Sequence, residues 1–223
     1  MRVLGIETSS RRGTVALLED DRVVATLATD APGGHAPHLL GLVDRALAAA
    51  GWPKTSLDRI AVGTGPGSFT GIRVGMALAQ GIALGLERPV LGVGSLRAMA
   101  RAVPSSTSGA RCAVVDARRD ELFCAEYDAG NVERRPPIAL RREAVPAWLA
   151  EAGPRVVLGE LAPAHASDVF RSELTDLPHA VGVALVAAAL PLDGALLEAQ
   201  YVRPADAIRP NLPRSPLSSG ETT

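Results

Sequence analysis

Four glycines, Gly63, Gly65, Gly67 and Gly71, stand close together in GTGPGSFTGIRVG (Gly63–Gly75), between a short apolar run and a run with helical period. Glycine lets backbone approach an anion closely, and a helix N-terminus offers unpaired N–H groups. The chemistry such a loop suggests is phosphate binding. The fingerprints argue against a standard site. A Walker-type loop needs GxxxxGK[ST], and the segment has no lysine. A dinucleotide loop needs GxGxxG, and Ser68 stands where the third glycine belongs. The residues that would touch a nucleotide or other anion are Thr8, Ser9, Gly67, Ser68 and Arg73, with Glu7 and Asp116 near them. The competing reading is structural. Gly71 and Gly75 are four apart, as are Gly81 and Gly85, a spacing that thins one helix face and lets a second helix come close. Ser68 and Thr70 equally suit a helix N-cap.

Other reactive residues carry less. His35 and His38 lie three apart near a helix start, close enough to share a metal, but no third ligand is evident. His165 and His179 are isolated, and no Ser, His and Asp stand at the spacing of a known nucleophile motif. No metal site is expected. Cys112 and Cys124 each sit in an apolar run and read as core thiols, not as a zinc or disulfide framework. Asp116, in DARRDE, ends a strand where a sugar-kinase-type acid could act; a solvated turn is the plainer account.

The elements that must hold these residues follow from period and turn chemistry. Arg2–Ile6, Thr14–Leu18 and Arg22–Ala28 form a strand meander. His38–Ala50 has apolar residues at helical spacing and Gly51 as its stop. Strands follow at Arg59–Val62 and Pro89–Val93, a helix at Thr70–Leu86, and a short helix that Ser95 could cap, to Arg101. Pro104–Gly109 is the clearest composition break and divides a first lobe, 1–104, from a second, 105–202. The second half again runs strand, acid, paired arginines, strand: Cys112–Val115, Asp116, Arg118–Arg119, Leu122–Tyr127. Helix, strand and helix are expected at Arg142–Glu151, Val156–Gly159 and Val181–Leu190. The proline-rich stretch 203–223 reads as a disordered tail.

Composition sets the outer bounds. The chain has 223 residues, 47% hydrophobic and 21% charged, with a net charge of −1. Neither disorder nor a strongly basic nucleic-acid grip fits those values. Aromatics are 3%, too few for stacking on single strands. The N-terminal apolar stretch is short and broken by Glu7, unlike a signal peptide. The longest apolar windows, Val74–Leu86 and Val181–Leu190, are shorter than the ~20 residues that span a bilayer, so a cytoplasmic location is expected.

Taken together, GIETSS, AVGTGPGSFTGIRVGMALAQGIALGL, VLGVGSL, VVDARRDELFCAEY and the late QYVRP resemble the bacterial TsaB (YeaZ) family, over most of Met1–Tyr127 and in patches beyond. The resemblance implies an α/β, two-lobed fold of the actin-like ATPase and sugar-kinase superfamily, built from duplicated βββαβα lobes. It implies a part in making threonylcarbamoyladenosine in tRNAs that read ANN codons. The chain would be a non-catalytic partner of a TsaD-like paralogue, joined by a TsaE-like ATPase, touching tRNA only indirectly. The paralogue's HxxxH metal pair falls on Ser95 and Met99 here, poor ligands for iron or zinc. Glu7 replaces the family's usual Asp, which argues against nucleotide binding in the cleft; weak or interface ATP or ADP binding is the reserve. The family's partner contact uses the first two helices of the first lobe, here Leu39, Leu42, Val43, Ala46, Gly71, Gly75, Leu78, Ala79 and Ile82. Without the partner, that face would pair with a second copy. A bulky residue at Gly75 is therefore expected to abolish association. The alternative is a small phosphotransferase or hydrolase of the same superfamily, with nucleotide near Glu7, Thr8, Ser9 and Asp116.

Overall fold

β1 (Arg2–Glu7) is apolar almost throughout because both of its faces are covered. In the computed structural model, which describes residues 1–29, 36–153, 155–162, 169–191 and 197–202, it lies at the centre of a five-stranded sheet. Its neighbours are β2 (Gly13–Glu19), antiparallel, and β4 (Arg59–Gly63), parallel. β3 (Arg22–Thr29) and β5 (Val90–Val93) close the order β3-β2-β1-β4-β5. Strand alternation sorts the side chains. Leu4, Ile6, Val15 and Leu17 meet α1 (Ala36–Ala50) and α2 (Phe69–Leu86) on one face. Val3, Ala16, Leu18 and Ala61 meet α5 (Ala180–Ala189) on the other.

The second sheet, in the order β8-β7-β6-β9, comprises β6 (Ala110–Arg118), β7 (Glu121–Tyr127), β8 (Glu133–Arg141) and β9 (Arg155–Leu158). Cys112, Val114, Leu122 and Cys124 pack under α4 (Val145–Ala150). The opposite face packs on Leu96, Met99 and Ala100 of α3 (Ser95–Arg101). Burial pushes the Cys112 thiol up to about 11 and the Cys124 thiol up to about 12, so both are inert core groups.

The architecture is α/β, two sheets each covered by helices, with Pro104–Gly109 falling between α3 and β6. The second half is not a self-contained copy of the first. Its last described helix, α5, crosses back to the first sheet. The contact is close: a Cβ on Gly5 would lie 2.4 Å from the Ala180 carbonyl oxygen, and on the side towards α3 a Cβ on Gly182 would lie 2.1 Å from the Ala98 carbonyl oxygen. His179 is the N-cap of α5, its Nδ1 accepting from the Val181 N–H at 3.1 Å.

Three local details differ from sequence expectation. β8 is absent from the pattern because it contains Pro136–Pro137; it is an edge strand, where missing donors are tolerated, and its pairing is irregular there. Ser95 does not cap α3, for its hydroxyl is engaged elsewhere. Ser68, not Thr70, caps α2, accepting from the Gly71 N–H at 3.2 Å. The stretch 203–223, His35 and His165 lie outside the described residues.

Candidate functional site

Two places could work: the end of β1 under the glycine loop, and the outer side of α1 and α2. The first is filled by its own chain. Glu7 is wholly buried. Its Oε1 accepts from the Ser9 N–H and its Oε2 from the Ser95 hydroxyl, both at 2.7 Å. Burial holds this carboxyl above the usual glutamate range, with those two bonds opposing the shift. A Cβ on Gly63 would lie 2.1 Å from Glu7 Oε2, so that glycine exists to admit the carboxylate.

Several of the loop's donors are engaged in the same way, while the buried Ser9 hydroxyl has no partner among the described residues. Gly65 N–H donates to Ser95 Oγ at 3.1 Å, and Ser68 N–H to the Ser9 carbonyl at 2.6 Å. Thr8 Oγ1 donates to the Gly71 carbonyl at 2.8 Å. Gly67, Gly71 and Gly75 each face the Thr8–Ser9 segment so closely that an added Cβ would sit 2.1–2.2 Å from one of its oxygens. Of the residues suggested for anion contact, Thr8, Ser9, Gly67 and Ser68 therefore meet one another. Arg73 points the other way, from the exposed side of α2. Asp116 accepts from the Arg118 N–H at 2.9 Å within a left-handed turn. Met99 is buried in the second core, and Arg11 is ion-paired with Glu160 beyond β9, bridging the two halves.

Glu7 yields a test by pH. Its folded pKa is raised above the ordinary 4.5, so its contribution to stability is full below pH 4.5 and is lost as pH rises through the folded value. Glu7→Gln, which keeps the acceptor for Ser9, should be at least as stable as wild type at pH 7.5 and lose that pH dependence. Glu7→Ala should lose about 2 kcal/mol at either pH, by leaving buried donors unmet. Urea unfolding at pH 4.5 and 7.5 measures both.

The second place is the helix pair. Here the interface residues expected from sequence need correction. Leu39, Leu42, Val43, Ala46 and Ala79 are 0–4% exposed in the first core, with Leu78 and Ile82 packed against it. Gly71 and Gly75 face Thr8. Apart from Val43 and Ile82, which also line the groove between the helices, these residues form the inward sides, because the apolar stripe of a helix in a domain is first the stripe that covers its own sheet. The outward side carries Leu40, Gly41, Ala77, Gly81, Leu84 and Gly85. Leu84 is 83% and Leu40 51% exposed. Among the described residues, Cβ atoms on Gly41, Gly81 and Gly85 would meet nothing within 4 Å. Between the helices runs a shallow groove of about 190 Å³, lined by Leu40, Val43, Leu47, Ile82 and Leu86 among others. That is below the roughly 300 Å³ at which small-molecule pockets begin, and suits inserted side chains. The glycine pair 81/85 was visible in the sequence; Leu40 and Leu84 were missed because only helical phase, fixed by the sheet beneath, puts them outside.

A family model described as "TsaD: tRNA N6-adenosine threonylcarbamoyltransferase" matches residues 28–146. A protein of Escherichia coli (strain K12) named "tRNA threonylcarbamoyladenosine biosynthesis protein TsaB" is 40% identical over 128 residues, 57% of this chain and 55% of that relative. Its namesake in Bacillus subtilis (strain 168) is 33% identical over 131 residues, 59% of this chain and 57% of that one. The chain thus spans a little over half the length of these curated relatives. The solved structure "YeaZ from Pseudomonas aeruginosa" superposes with a TM-score of 0.68 at 31% identity, covering 83% of this chain and 90% of that one.

Proposed function

The chain belongs to the TsaB (YeaZ) family, and from that premise we propose that it is a non-catalytic docking subunit for threonylcarbamoyladenosine modification, next to the anticodon, of tRNAs reading ANN codons. It works in the cytoplasm by binding a TsaD-like catalytic paralogue and a TsaE-like ATPase. It needs no metal or cofactor of its own, and it touches tRNA only through the complex. In the partner's absence the same face pairs two copies.

The observation that carries this reading is the outward side of α1 and α2. Glycine within a helix costs about 1 kcal/mol relative to alanine. Gly41 and Gly81 bear that cost, although among the described residues a side chain at either position would meet nothing within 4 Å. Close approach by another helix accounts for them, and Leu84 and Leu40 supply the apolar contact. The close packing under the glycine loop supports the non-catalytic part, since the Gly65, Ser68 and Gly71 amides are bonded internally and Thr8–Ser9 lies against Gly67, Gly71 and Gly75.

Co-expression with the TsaD-like paralogue of the same organism tests it. The wild-type chain should co-purify with the paralogue and be required for tRNA modification. Leu84→Arg should keep its melting temperature and lose both co-purification and modification. Unchanged co-purification of Leu84→Arg, or sustained ATP turnover by the chain alone, would overturn the reading.

A further inference from the structure

The exposed side of α2 does not end in apolar residues. At its N-terminal end the Arg73 guanidinium lies over the Phe69 ring, 3.6 Å from the centroid, and its Nε donates to Tyr201 Oη at 3.1 Å. The Phe69 and Tyr201 rings lie 5.4 Å apart, and each residue is 50% exposed. Stacking fixes the plane of the guanidinium and the Nε bond fixes its rotation. Among the described residues, its two terminal nitrogens have no partner. A guanidinium held this way is a preset fork for two parallel hydrogen bonds to a carboxylate.

Tyr201 reaches this place on a strap. Leu197 packs in the first core and Val202 in the second. Between them the Gln200 N–H donates to the Thr64 carbonyl at 2.8 Å. Gln200–Val202, the described part of the QYVRP motif, thereby carries Tyr201 to Arg73.

We propose that Arg73, positioned by Phe69 and by Tyr201 of this strap, binds a carboxylate on an acidic helix face of the docking partner. The proposal rests on the docking reading above and names its polar anchor. Charge favours that occupant. The exposed side of the helix pair, its margins and the strap carry Arg45, Lys54, Arg73 and Arg88 against Asp44, Glu87 and Glu198, an excess of one cation on a chain of net charge −1. A second copy would bring the same excess, and an RNA site would need a broader basic field. The fork also continues the face that holds Leu84 and Gly81, so one helix can engage both.

The test is calorimetric titration of the full chain with the TsaD-like paralogue, at low and at moderate salt, after checking that each variant melts as wild type does. Arg73→Ala should weaken binding roughly 10–100-fold, the range for a lost charge-assisted hydrogen bond, and flatten its salt dependence. Arg73→Lys should recover only part, because an ammonium cannot fork. Tyr201→Phe, which removes only Oη, should weaken binding less than Arg73→Ala and in the same salt-sensitive way. Wild-type affinity for Arg73→Ala overturns this proposal. If Leu84→Arg still abolishes binding in that case, the docking reading stands; if Leu84→Arg also binds normally, that reading falls with it. Sedimentation of the chain alone covers the second copy: self-association lost in Arg73→Glu, with paralogue binding intact, reassigns the carboxylate to another copy. Arg73-dependent binding of an isolated anticodon stem-loop, with paralogue binding unaffected by Arg73, reassigns the fork to phosphate and equally overturns the proposal.

Discussion

Gly75→Leu should damage the fold, whereas Gly81→Leu, in the same helix, should spare the fold and damage association. An added Cβ at Gly75 would sit 2.2 Å from Thr8 Oγ1 and 3.4 Å from Val62 Cγ2, and Leu brings three more carbons into that space. Thr8 cannot yield cheaply, since it is buried and its hydroxyl is bonded to Gly71. Overpacking of this kind costs about 3 kcal/mol at the upper end of its usual range. In a domain of this size that is a fall of about 6–12 °C in melting temperature. Gly81 has open space around it. Leu there gains roughly 0.8 kcal/mol of helix propensity, so the variant should melt slightly higher while failing to bind the paralogue. Thermal melts beside a pull-down separate the two. Equal melting temperatures for the two variants would show that Gly75 is not packed as described. This reverses what glycine spacing alone suggests, namely that Gly75 is a binding residue.

Acid should loosen the protein through His179. Burial, helped by nearby Arg12, pushes its imidazole down to about 4. The folded pKa is below the unfolded 6.5, so the stability it contributes is present above pH 6.5 and is lost as pH falls through about 4. The difference between the two plateaus is about 3 kcal/mol. The structural event is definite: a proton on Nδ1 removes the acceptor for the Val181 N–H and puts a cation at the positive end of α5. His179→Asn, which can still cap and does not titrate, should flatten the loss between pH 6.5 and 4. Denaturant midpoints across that range measure it, and an unchanged slope in the variant would place the acid sensitivity elsewhere.

Element positions were largely legible because local period decides them. The meander, α1, α2 and the strand β6 follow from alternation, helical spacing and glycine stops. β8 was hidden by Pro136–Pro137, which only an edge position permits. α5 was found as a helix, but AVGVALVAAA is apolar on every side and does not say which sheet it covers. The glycine loop was ambiguous for a similar reason. Glycine admits a phosphate or a neighbouring backbone equally well, and the residues that take up the space, Thr8, Ser9 and Glu7, lie more than fifty positions away. Helical phase decides which face the helix pair leaves exposed. An apolar stripe marks the side facing the sheet, while the exposed side shows itself by residues with nothing to do at home, such as Leu84 and Gly81.

The return of α5 to the first sheet also matters while the chain is being made. The five strands of that sheet are complete once Val93 has left the ribosome, yet the face bearing Val3, Ala16, Leu18 and Ala61 awaits a helix that begins at Ala180. At roughly 5–20 residues per second, that is an interval of about 4–17 s with an uncovered apolar sheet. The nascent first half therefore keeps one apolar sheet face open until α5 is made. A stop codon anywhere before Ala180 should yield aggregate in place of a smaller soluble domain.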